Sequence, residues 1–327
     1  MKFKKLGKTG FNVSEISLGT WQVGGKWGEV FNDANADSII NTAIDSGINF
    51  IDTADVYSNG LSERAIGRVL RTRSERVYVG TKCGRQLNPH VNEVYQPAYL
   101  RKFVEASLKN MNLECLDLIQ LHCPPTEVYY RPEIFELFDN LKQEGKILNL
   151  GVSVEKVEEA LKAIEYPNVC TVQIIFNMFR HRPSELFFKE AKRKDIGILA
   201  RVPLASGLLT GKFGLNSVFS KDDHRNFNIN GAAFDKGETF SGIDYNLGLD
   251  AVTELKTIFL NQDLAAIALK WILMFEEVSC VIPGASVPEQ VISNLKALDL
   301  NELSVEEMLA VDAVYDKYIK NQVHYKW

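Results

Sequence analysis

Four side chains that can bind or release protons follow three successive apolar segments of the chain. Asp52 and Tyr57 come after the first of these segments. Lys82 ends the second segment, and His122 ends the third. If the segments are neighbouring parallel strands, their carboxyl ends lie at one rim of the sheet, where the four side chains can meet.

These four residue types suit the reduction of a carbonyl group. That reaction needs a hydride, which no side chain supplies, and a proton for the developing alkoxide. Tyr57 can donate the proton, because the ammonium group of Lys82 would lower its pKa from the ordinary value of about 10. Asp52 would keep Lys82 charged, and His122 would orient the substrate oxygen and stabilise charge on it.

Each of the four residues also has an ordinary structural role available. Asp52 can cap a turn, Lys82 can be a solvated strand end, His122 can be a core histidine, and Tyr57 can be a loop aromatic. Four such groups at one rim favour the chemical interpretation. A second enzyme class stays open, because Lys82 could attack a carbonyl group as a Schiff-base lyase does. A carboxylate beside it would keep the lysine protonated and argues against that class.

The elements that would position these residues form a regular alternation of strand and helix patterns. A hairpin turning at residues 8–10 comes first. Predicted strands cover residues 16–19, 49–53, 77–82, 116–122, 147–153, 171–176, 198–203 and 278–283. Predicted helices cover residues 33–46, 61–71, 99–110, 132–144, 154–165, 183–194, a stretch ending near residue 275, and 288–298.

Eight strand-then-helix units with apolar strands predict the α/β class and a parallel sheet covered by helices. Eight is the number that closes a (β/α)8 TIM barrel, with a doubly wound sheet as the alternative. The N-terminal β-hairpin and a C-terminal helix at 304–321 would be additions to a single domain spanning residues 1–327. The segment 204–248 is too long for an ordinary connection, so we expect it to cover a functional site.

Composition narrows the class of partner. Lys and Arg number 37 against 42 Asp and Glu, which gives a net charge of −5 and argues against nucleic acid. No signal peptide is visible, and the longest apolar stretch, 264–275, is too short for a membrane span. The five cysteines have no metal-like spacing, so we expect no metal site and four buried, reduced thiols. We therefore expect a cytoplasmic protein with no membrane partner.

The chain resembles the aldo-keto reductase family, in particular a bacterial branch that is also similar to potassium-channel β-subunits. In that family, residues at the positions of Asp52, Tyr57, Lys82 and His122 form the catalytic tetrad. The segments that carry the resemblance are Gly19–Trp21, Phe50–Tyr57, Gly80–Lys82, Leu121–Pro124, Gly151–Ser153, Pro203–Lys212 and Ile282–Ser286.

The resemblance implies reduction of aldehydes or ketones, sugar-like compounds included, with NADPH as the hydride donor and NADH as the alternative. Tyr57 would be the proton donor. The similarity to channel subunits leaves a second class open, a nicotinamide-loaded regulatory subunit with little turnover. Measurable steady-state reduction of a simple aldehyde would exclude that class.

The resemblance also implies which residues bind the cofactor. No Gly-x-Gly-x-x-Gly motif follows the first strand, so a Rossmann mode of binding is not indicated. Ser153 and Gln173 would hold the nicotinamide carboxamide. Lys212 and the loop residues Leu204, Ser206, Gly207 and Leu208 would clasp the pyrophosphate, and Ser286, Gln290 and Asn294 would hold the adenosine end. The remaining predicted cofactor residues are Gly19, Thr20, Trp21, Asp52, Arg201, Pro203 and Gly284. The predicted substrate pocket comprises Trp21, Trp27, Tyr57 and His122, with Tyr129 or Tyr130 as further candidates.

Three positions depart from the family pattern. Val154 stands where many members have Asn, so one carboxamide contact is lost. Gly284 and Gln290 stand where several members place Lys and Arg around the adenosine phosphate, which weakens the expected NADPH preference. Arg201 replaces the usual aromatic ring under the nicotinamide. Its planar guanidinium group can stack on a ring, or it can turn outward to pair with an acid.

Overall fold

The computed structural model describes residues 1–25 and 29–327, which form an α/β barrel. An N-terminal hairpin of β1 and β2 precedes eight parallel strands in the order of the sequence. The strands are β1 (Phe3–Lys5), β2 (Asn12–Ser14), β3 (Leu18–Gly19), β4 (Phe50–Asp52), β5 (Tyr78–Cys83), β6 (Leu116–His122), β7 (Ile147–Ser153), β8 (Val169–Ile175), β9 (Gly197–Arg201) and β10 (Val278–Val281).

Backbone hydrogen bonds between the first and last strands of the sheet close the barrel. The Ser17 amide donates to the Val281 carbonyl at 2.9 Å, and the Gly19 amide donates to the Pro283 carbonyl at 2.9 Å. In return, the Val281 amide donates to the Glu15 carbonyl at 2.9 Å. The predicted eight-stranded barrel is therefore confirmed, and the carboxyl ends of all its strands face one rim.

The helices pack outside the strands because each presents an apolar stripe to the sheet. For example, Ile39, Ile40 and Ala43 of the first helix are fully buried. The helices are α1 (Asp33–Asp45), α2 (Leu61–Leu70), α3 (Pro97–Met111), α4 (Pro132–Gln143), α5 (Val157–Ala163), α6 (Phe187–Arg193), α7 (His224–Phe227), α8 (Tyr245–Ile258), α9 (Leu264–Leu273), α10 (Pro288–Leu295), α11 (Val305–Val314) and α12 (Lys320–Val323).

The hairpin closes the barrel at the end opposite the functional rim. Leu6, Phe11 and Val13 form a small core with side chains from inside the barrel, among them Phe50 and Leu199. The approach is tight at Gly7, whose φ is +50°. A Cβ atom there would lie 2.1 Å from the Gly197 nitrogen, so only glycine fits.

Several predicted element boundaries were wrong, each for a local reason. Helix α5 starts at Val157 rather than residue 154, because the Glu159 carboxylate accepts hydrogen bonds from the Glu155 and Lys156 amides at 3.0 and 3.1 Å. The stretch ending near residue 275 consists of two helices, α8 and α9. The predicted C-terminal helix is interrupted by a π-helical turn at Tyr315–Ile319 between α11 and α12.

The cysteines lie as the sequence predicted. All five are free thiols, four of them buried (Cys83, Cys123, Cys170 and Cys280) and Cys115 partly exposed. Within residues 1–25 and 29–327, no helix combines the length and apolar character that crossing a bilayer requires.

Candidate active site

The structure brings the four predicted catalytic residues together at the rim of the barrel. Asp52 ends β4, Lys82 lies near the end of β5, and His122 ends β6. Tyr57 begins the 3-10 turn Tyr57–Gly60 that follows β4. The three strands are neighbours in the sheet, so the backbone itself fixes the order of these side chains around the rim.

Lys82 is the centre of the arrangement. Its ammonium group donates to Asp52 Oδ2 at 2.7 Å, to the Thr53 carbonyl at 2.7 Å and to Tyr57 Oη at 3.3 Å. The other oxygen of Asp52 accepts a hydrogen bond from Gln173 Nε2 at 2.7 Å. Lys82 and Asp52 are both buried, so a charged pair is held without water and with its hydrogen bonds satisfied.

Burial and the neighbouring groups shift the pKa values of both Lys82 and Tyr57. Burial alone would lower the pKa of Lys82, but Asp52 and Tyr57 raise it above its ordinary value. Burial raises the pKa of Tyr57, and this outweighs the lowering that Lys82 causes. Lys82 therefore lowers the pKa of Tyr57 as expected, but the larger effect of burial, which the sequence does not show, leaves the pKa above its ordinary value. With its pKa raised, the phenol keeps its proton at neutral pH.

His122 stands opposite the tyrosine. The two rings are 6.0 Å apart between centroids and meet edge to face. Burial, reinforced by the positive charges of Arg85, Lys82 and Arg201, holds the pKa of His122 well below its ordinary value. The imidazole is therefore neutral, and its Nδ1 atom is buried without a partner among the described residues. A neutral imidazole has one N–H group, which can donate a hydrogen bond to a substrate oxygen and so orient it without transferring the proton.

A cavity of about 420 Å³ runs from Tyr57 and His122 to the start of α10. This volume is typical of a small-molecule or cofactor site. The predicted cofactor residues on its wall are Gly19, Thr20, Trp21, Asp52, Ser153, Gln173, Arg201, Pro203, Leu204, Ser206, Gly207, Lys212, Gly284, Gln290 and Asn294.

Two predicted cofactor residues do not lie on the cavity wall. Leu208 is buried in the main apolar core. Ser286 is turned toward Gln290, whose Oε1 atom accepts hydrogen bonds from the Ser286 amide at 2.7 Å and from its hydroxyl at 3.2 Å. The predicted pocket residue Trp27 lies outside the described residues.

Apart from Trp21, the aromatic residues near the cavity differ from those that the sequence predicted. Tyr129 is fully buried away from the cavity, and Tyr130 is 64% exposed on the outer surface, so neither lines it. Trp21 instead stacks on Tyr57, with ring centroids 6.1 Å apart. The centroid of its indole ring also lies 5.0 Å from that of the His224 imidazole. The sequence did not predict His224 as a residue of this site.

Residues 204–248, here called the lid loop, extend over the rim and line much of the cavity. Within the loop, Ser206 Oγ donates to the Glu238 carbonyl at 3.1 Å. The C-terminal residue Trp327 anchors the loop from outside, because its Nε1 atom donates to Asp235 Oδ1 at 2.8 Å. The loop consists of short turns and the four-residue helix α7, and its last four residues are the first turn of α8. The loop therefore contacts both the reacting end and the cofactor end of the cavity.

Arg201 pairs with an acid, as one of the two expectations had it, but it does not turn outward. It lines the cavity, and its Nη2 atom donates to Glu155 Oε2 at 2.9 Å, with both side chains only 10% exposed. Stacking of its guanidinium group under a nicotinamide stays a prediction. Glu238 of the lid loop lies 3.7 Å from Nη1 of Arg201 and 2.8 Å from Nη2 of Arg85. The sequence did not predict this cluster. Arg85 follows β5, Glu155 follows β7, and Glu238 lies in the lid loop. No local motif links three such distant positions.

The cavity offers groups that suit a dinucleotide. Ser153 and Gln173 place a hydroxyl and an amide near the tetrad, and Lys212 adds positive charge along the wall. Arg225 also lines the wall, but its charge is paired with Asp223. Gly207, with φ +98°, gives the lid loop a turn without a side chain beside this wall. At Gly284 an added Cβ atom would meet nothing nearer than 3.9 Å, so the wall there leaves room for a ligand.

Comparisons with known proteins agree with this arrangement. The model of the aldo/keto reductase family matches residues 15–316. The chain is 29% identical to the NADH-specific methylglyoxal reductase of Escherichia coli, with 92% of this chain and 94% of that protein covered. It is 26% identical to a probable voltage-gated potassium channel subunit beta of rice, over the full length of both. The solved glycerol dehydrogenase AKR11B4 from Gluconobacter oxydans is 30% identical, with a TM-score of 0.79 over 97% of this chain and 96% of that one.

Proposed function

Since the chain belongs to the aldo/keto reductase family, we propose that it reduces aldehydes or ketones to alcohols, with Tyr57 as the proton donor. The observation that carries the proposal is the contact of the buried Lys82 ammonium group with both Asp52 and Tyr57. A nicotinamide cofactor, when bound, supplies the hydride that no side chain provides. The test is a panel of simple carbonyl compounds, measured by absorbance of the reduced nicotinamide with each cofactor.

The residues of the chain divide the remaining work. His122, being neutral, holds the substrate oxygen by a hydrogen bond. Tyr57 gives its phenolic proton to that oxygen as negative charge develops on it, and Lys82 stabilises the phenolate that is left. Asp52 keeps the ammonium group of Lys82 charged and aimed at the tyrosine oxygen. Trp21 and the lid loop cover the site and limit the access of water.

The Schiff-base alternative conflicts with the environment of Lys82. An amine attacks a carbonyl group only when it has lost its proton. Asp52 and the tyrosine raise the pKa of Lys82, although burial opposes them, so the amine stays charged. Trapping with borohydride and substrate is therefore expected to leave Lys82 unmodified.

We propose NADPH as the preferred donor, held by Ser153 and Gln173 at the nicotinamide end, with NADH also accepted. Lys212 on the cavity wall favours additional phosphate charge. Residues 284–294 contain no lysine or arginine and one acid, Glu289. Because charge-assisted contacts from this segment to the 2′-phosphate are missing, we expect NADPH to be preferred by less than about tenfold in kcat/KM.

The cofactor preference is tested by measuring kcat/KM for both donors at one aldehyde concentration. Gln290→Arg should shift the ratio toward NADPH, because it places a guanidinium group at the start of the cavity wall formed by α10. Gln143→Arg at the end of α4 is the matched control and should leave the ratio unchanged. A strong preference of the wild type for NADH would contradict the proposal.

The lid loop should become resistant to proteolysis when cofactor binds. Lys221 and Lys236 are exposed in this loop, and loops built from short turns open locally more readily than packed helices. We expect NADPH to slow tryptic cleavage at these two lysines. Cleavage in α3, which does not touch the cavity, serves as the control. Equal cleavage rates in the lid loop with and without NADPH would show that the loop does not close on the cofactor.

We also propose a cytoplasmic location, since the five thiols are free and four of them are buried. The regulatory alternative, a cofactor-loaded subunit with little turnover, predicts no steady-state reduction with any carbonyl compound of the panel. Sustained turnover with one of them excludes it.

A further inference from the structure

The last residue of the chain, Trp327, joins the lid loop to a part of the molecule outside it. Trp327 follows the short helix α12 and is only 7% exposed. Its indole Nε1 atom donates a hydrogen bond to Asp235 Oδ1 in the lid loop at 2.8 Å. Its backbone oxygen accepts a hydrogen bond from Nη1 of Arg182, in the segment that follows β8, also at 2.8 Å. Trp327 therefore bridges the lid loop and the segment after β8.

Two glycines of the lid loop make room for the indole ring. A Cβ atom added at Gly237 would lie 2.9 Å from Cε2 of Trp327, and one added at Gly242 would lie 2.5 Å from its Cη2 atom. Gly242 also has a φ of +81°, which glycine adopts without strain. The two glycines belong to separate turns, Lys236–Glu238 and Phe240–Gly242. Both turns thus approach the ring more closely than any side chain would permit.

The face of the indole covers a buried arginine. The guanidinium carbon of Arg180 lies 4.1 Å from the centre of the Trp327 ring, and Arg180 is 4% exposed. Its Nε and Nη2 atoms have no hydrogen-bond partner among residues 1–25 and 29–327. A guanidinium group without a full set of hydrogen bonds is costly to bury, and the electron-rich face of an indole offsets part of that cost. An aliphatic side chain in place of Trp327 would not provide this contact.

The part of the lid loop that Trp327 contacts also holds a residue of the cavity wall. The Glu238 amide donates to the Asp235 carbonyl at 3.1 Å. Ser206 Oγ donates to the Glu238 carbonyl and accepts from the Phe240 amide, both at 3.1 Å. Ser206 and Glu238 line the cavity. A series of hydrogen bonds therefore runs from the indole through Asp235 and Glu238 to the cavity wall at Ser206.

We propose that Trp327 is a positioning residue, which holds the lid loop in the conformation that binds the nicotinamide cofactor. Trp327 itself is not on the cavity wall. It acts through Asp235 and Glu238 on Ser206, one of the residues predicted to clasp the pyrophosphate. The inference rests on the proposed use of a nicotinamide cofactor. It implies that loss of the indole makes the loop open more often and release the cofactor faster, while the barrel strands stay in place.

Another contact holds the lid loop close to the same place and is the rival explanation of its position. Asn177 Nδ2 donates to Ser241 Oγ at 2.9 Å. This bond lies on the C-terminal side of the turn Lys236–Glu238. If it were sufficient, removal of the Trp327 indole would leave that turn as protected as before. The two explanations therefore differ in how the turn responds when residue 327 is replaced.

The first test measures opening of the loop in the protein without cofactor. In Trp327→Ala, amide hydrogen exchange of residues 235–240 should be at least about tenfold faster than in wild type, with a similar increase in tryptic cleavage at Lys236. Trp327→Phe loses the N–H group but keeps a ring over Arg180, so its exchange should rise only about threefold to tenfold. Exchange at the wild-type rate in both variants would show that Trp327 does not hold the loop.

The second test measures release of the cofactor by stopped-flow fluorescence. The rate constants for dissociation of NADPH and NADH should be about tenfold higher in Trp327→Ala than in wild type, and the Kd values should rise with them. Faster opening of the loop with unchanged dissociation of both cofactors overturns the inference and leaves the proposed function standing. A wild-type protein that binds neither NADPH nor NADH overturns the proposed function itself.

The matched control is Trp271→Phe, which makes the same substitution at another buried tryptophan. Trp271 of α9 is 1% exposed and is not on the cavity wall, and its Nε1 atom has no hydrogen-bond partner in the part of the chain that the structure describes. We expect a lower urea midpoint for this variant, with loop exchange and cofactor dissociation within about twofold of wild type. If Trp271→Phe accelerated NADPH release as much as Trp327→Phe, the effect would be general destabilisation and the inference would be wrong.

Discussion

Tyr57→Phe is expected to lower kcat by about 10²–10⁴-fold, the usual effect of losing a general acid. Of the three groups that contact the Lys82 ammonium, the phenol is the one that can pass a proton to substrate. Asp52 Oδ2 and the Thr53 carbonyl act only as acceptors from Lys82. The phenyl ring keeps the stacking on Trp21, 6.1 Å away, so the shape of the cavity is preserved. Cofactor affinity, measured by fluorescence titration, should stay near wild type.

The matched control for this variant is Tyr99→Phe. Tyr99 is 47% exposed on α3 and does not line the cavity, so the same chemical change there should leave kcat unchanged. If Tyr57→Phe retained turnover within a factor of a few of wild type, another group would have to supply the proton. His122 would then be the next residue to replace.

The second large effect concerns the stability of the buried pair Lys82–Asp52. Lys82→Met leaves a buried carboxylate whose remaining side-chain partner is Gln173. Asp52→Asn leaves a buried ammonium group without its counter-charge. Each single change should lower the free energy of unfolding by about 3–5 kcal/mol, because an unpaired buried charge is costly. Both variants should also lose most of their activity.

The double variant Lys82→Met/Asp52→Asn separates charge pairing from packing. Its loss of stability should be smaller than the two single losses together by about 1–3 kcal/mol, since neither charge is left alone. Urea unfolding provides the measurement. The surface pair Arg101–Glu144 is the control, and its removal should cost less than about 1 kcal/mol. Additive losses at Lys82 and Asp52 would mean that the two charges do not stabilise each other.

The barrel was predictable because its strands are short apolar runs between polar segments. The bounds of β6 and β7 agree with the prediction at both ends, and every residue of β6 is buried. The tetrad was predictable for the same reason, because parallel strands bring their carboxyl ends to one rim whatever the loops do. Distant residues such as Asp52 and His122 therefore meet without any local motif that joins them.

Features that depend on loop conformation were not predictable. Helix α5 begins late because the Glu159 carboxylate accepts a hydrogen bond from the Glu155 amide. Glu155 therefore stays outside the helix, where its side chain binds Arg201. Glu238 reaches Arg85 only through the path of the lid loop. The pKa of Tyr57 depends on how far burial outweighs Lys82, and the spacing of residues carries no information on burial.

The contrast between barrel strands and lid loop has a consequence for amide hydrogen exchange and for adaptation. Strand β6 is hydrogen-bonded on both sides and fully buried, so its amides should exchange only by global unfolding. The lid loop, which carries Glu238 and His224, should exchange through local opening at a much lower free energy. Lys82, Asp52 and His122, which lie on barrel strands, thus belong to the slowly exchanging part of the molecule, and the cavity wall formed by the lid loop belongs to the fast part. Mutations in the lid loop can alter which carbonyl compound is accepted while the chemistry remains intact.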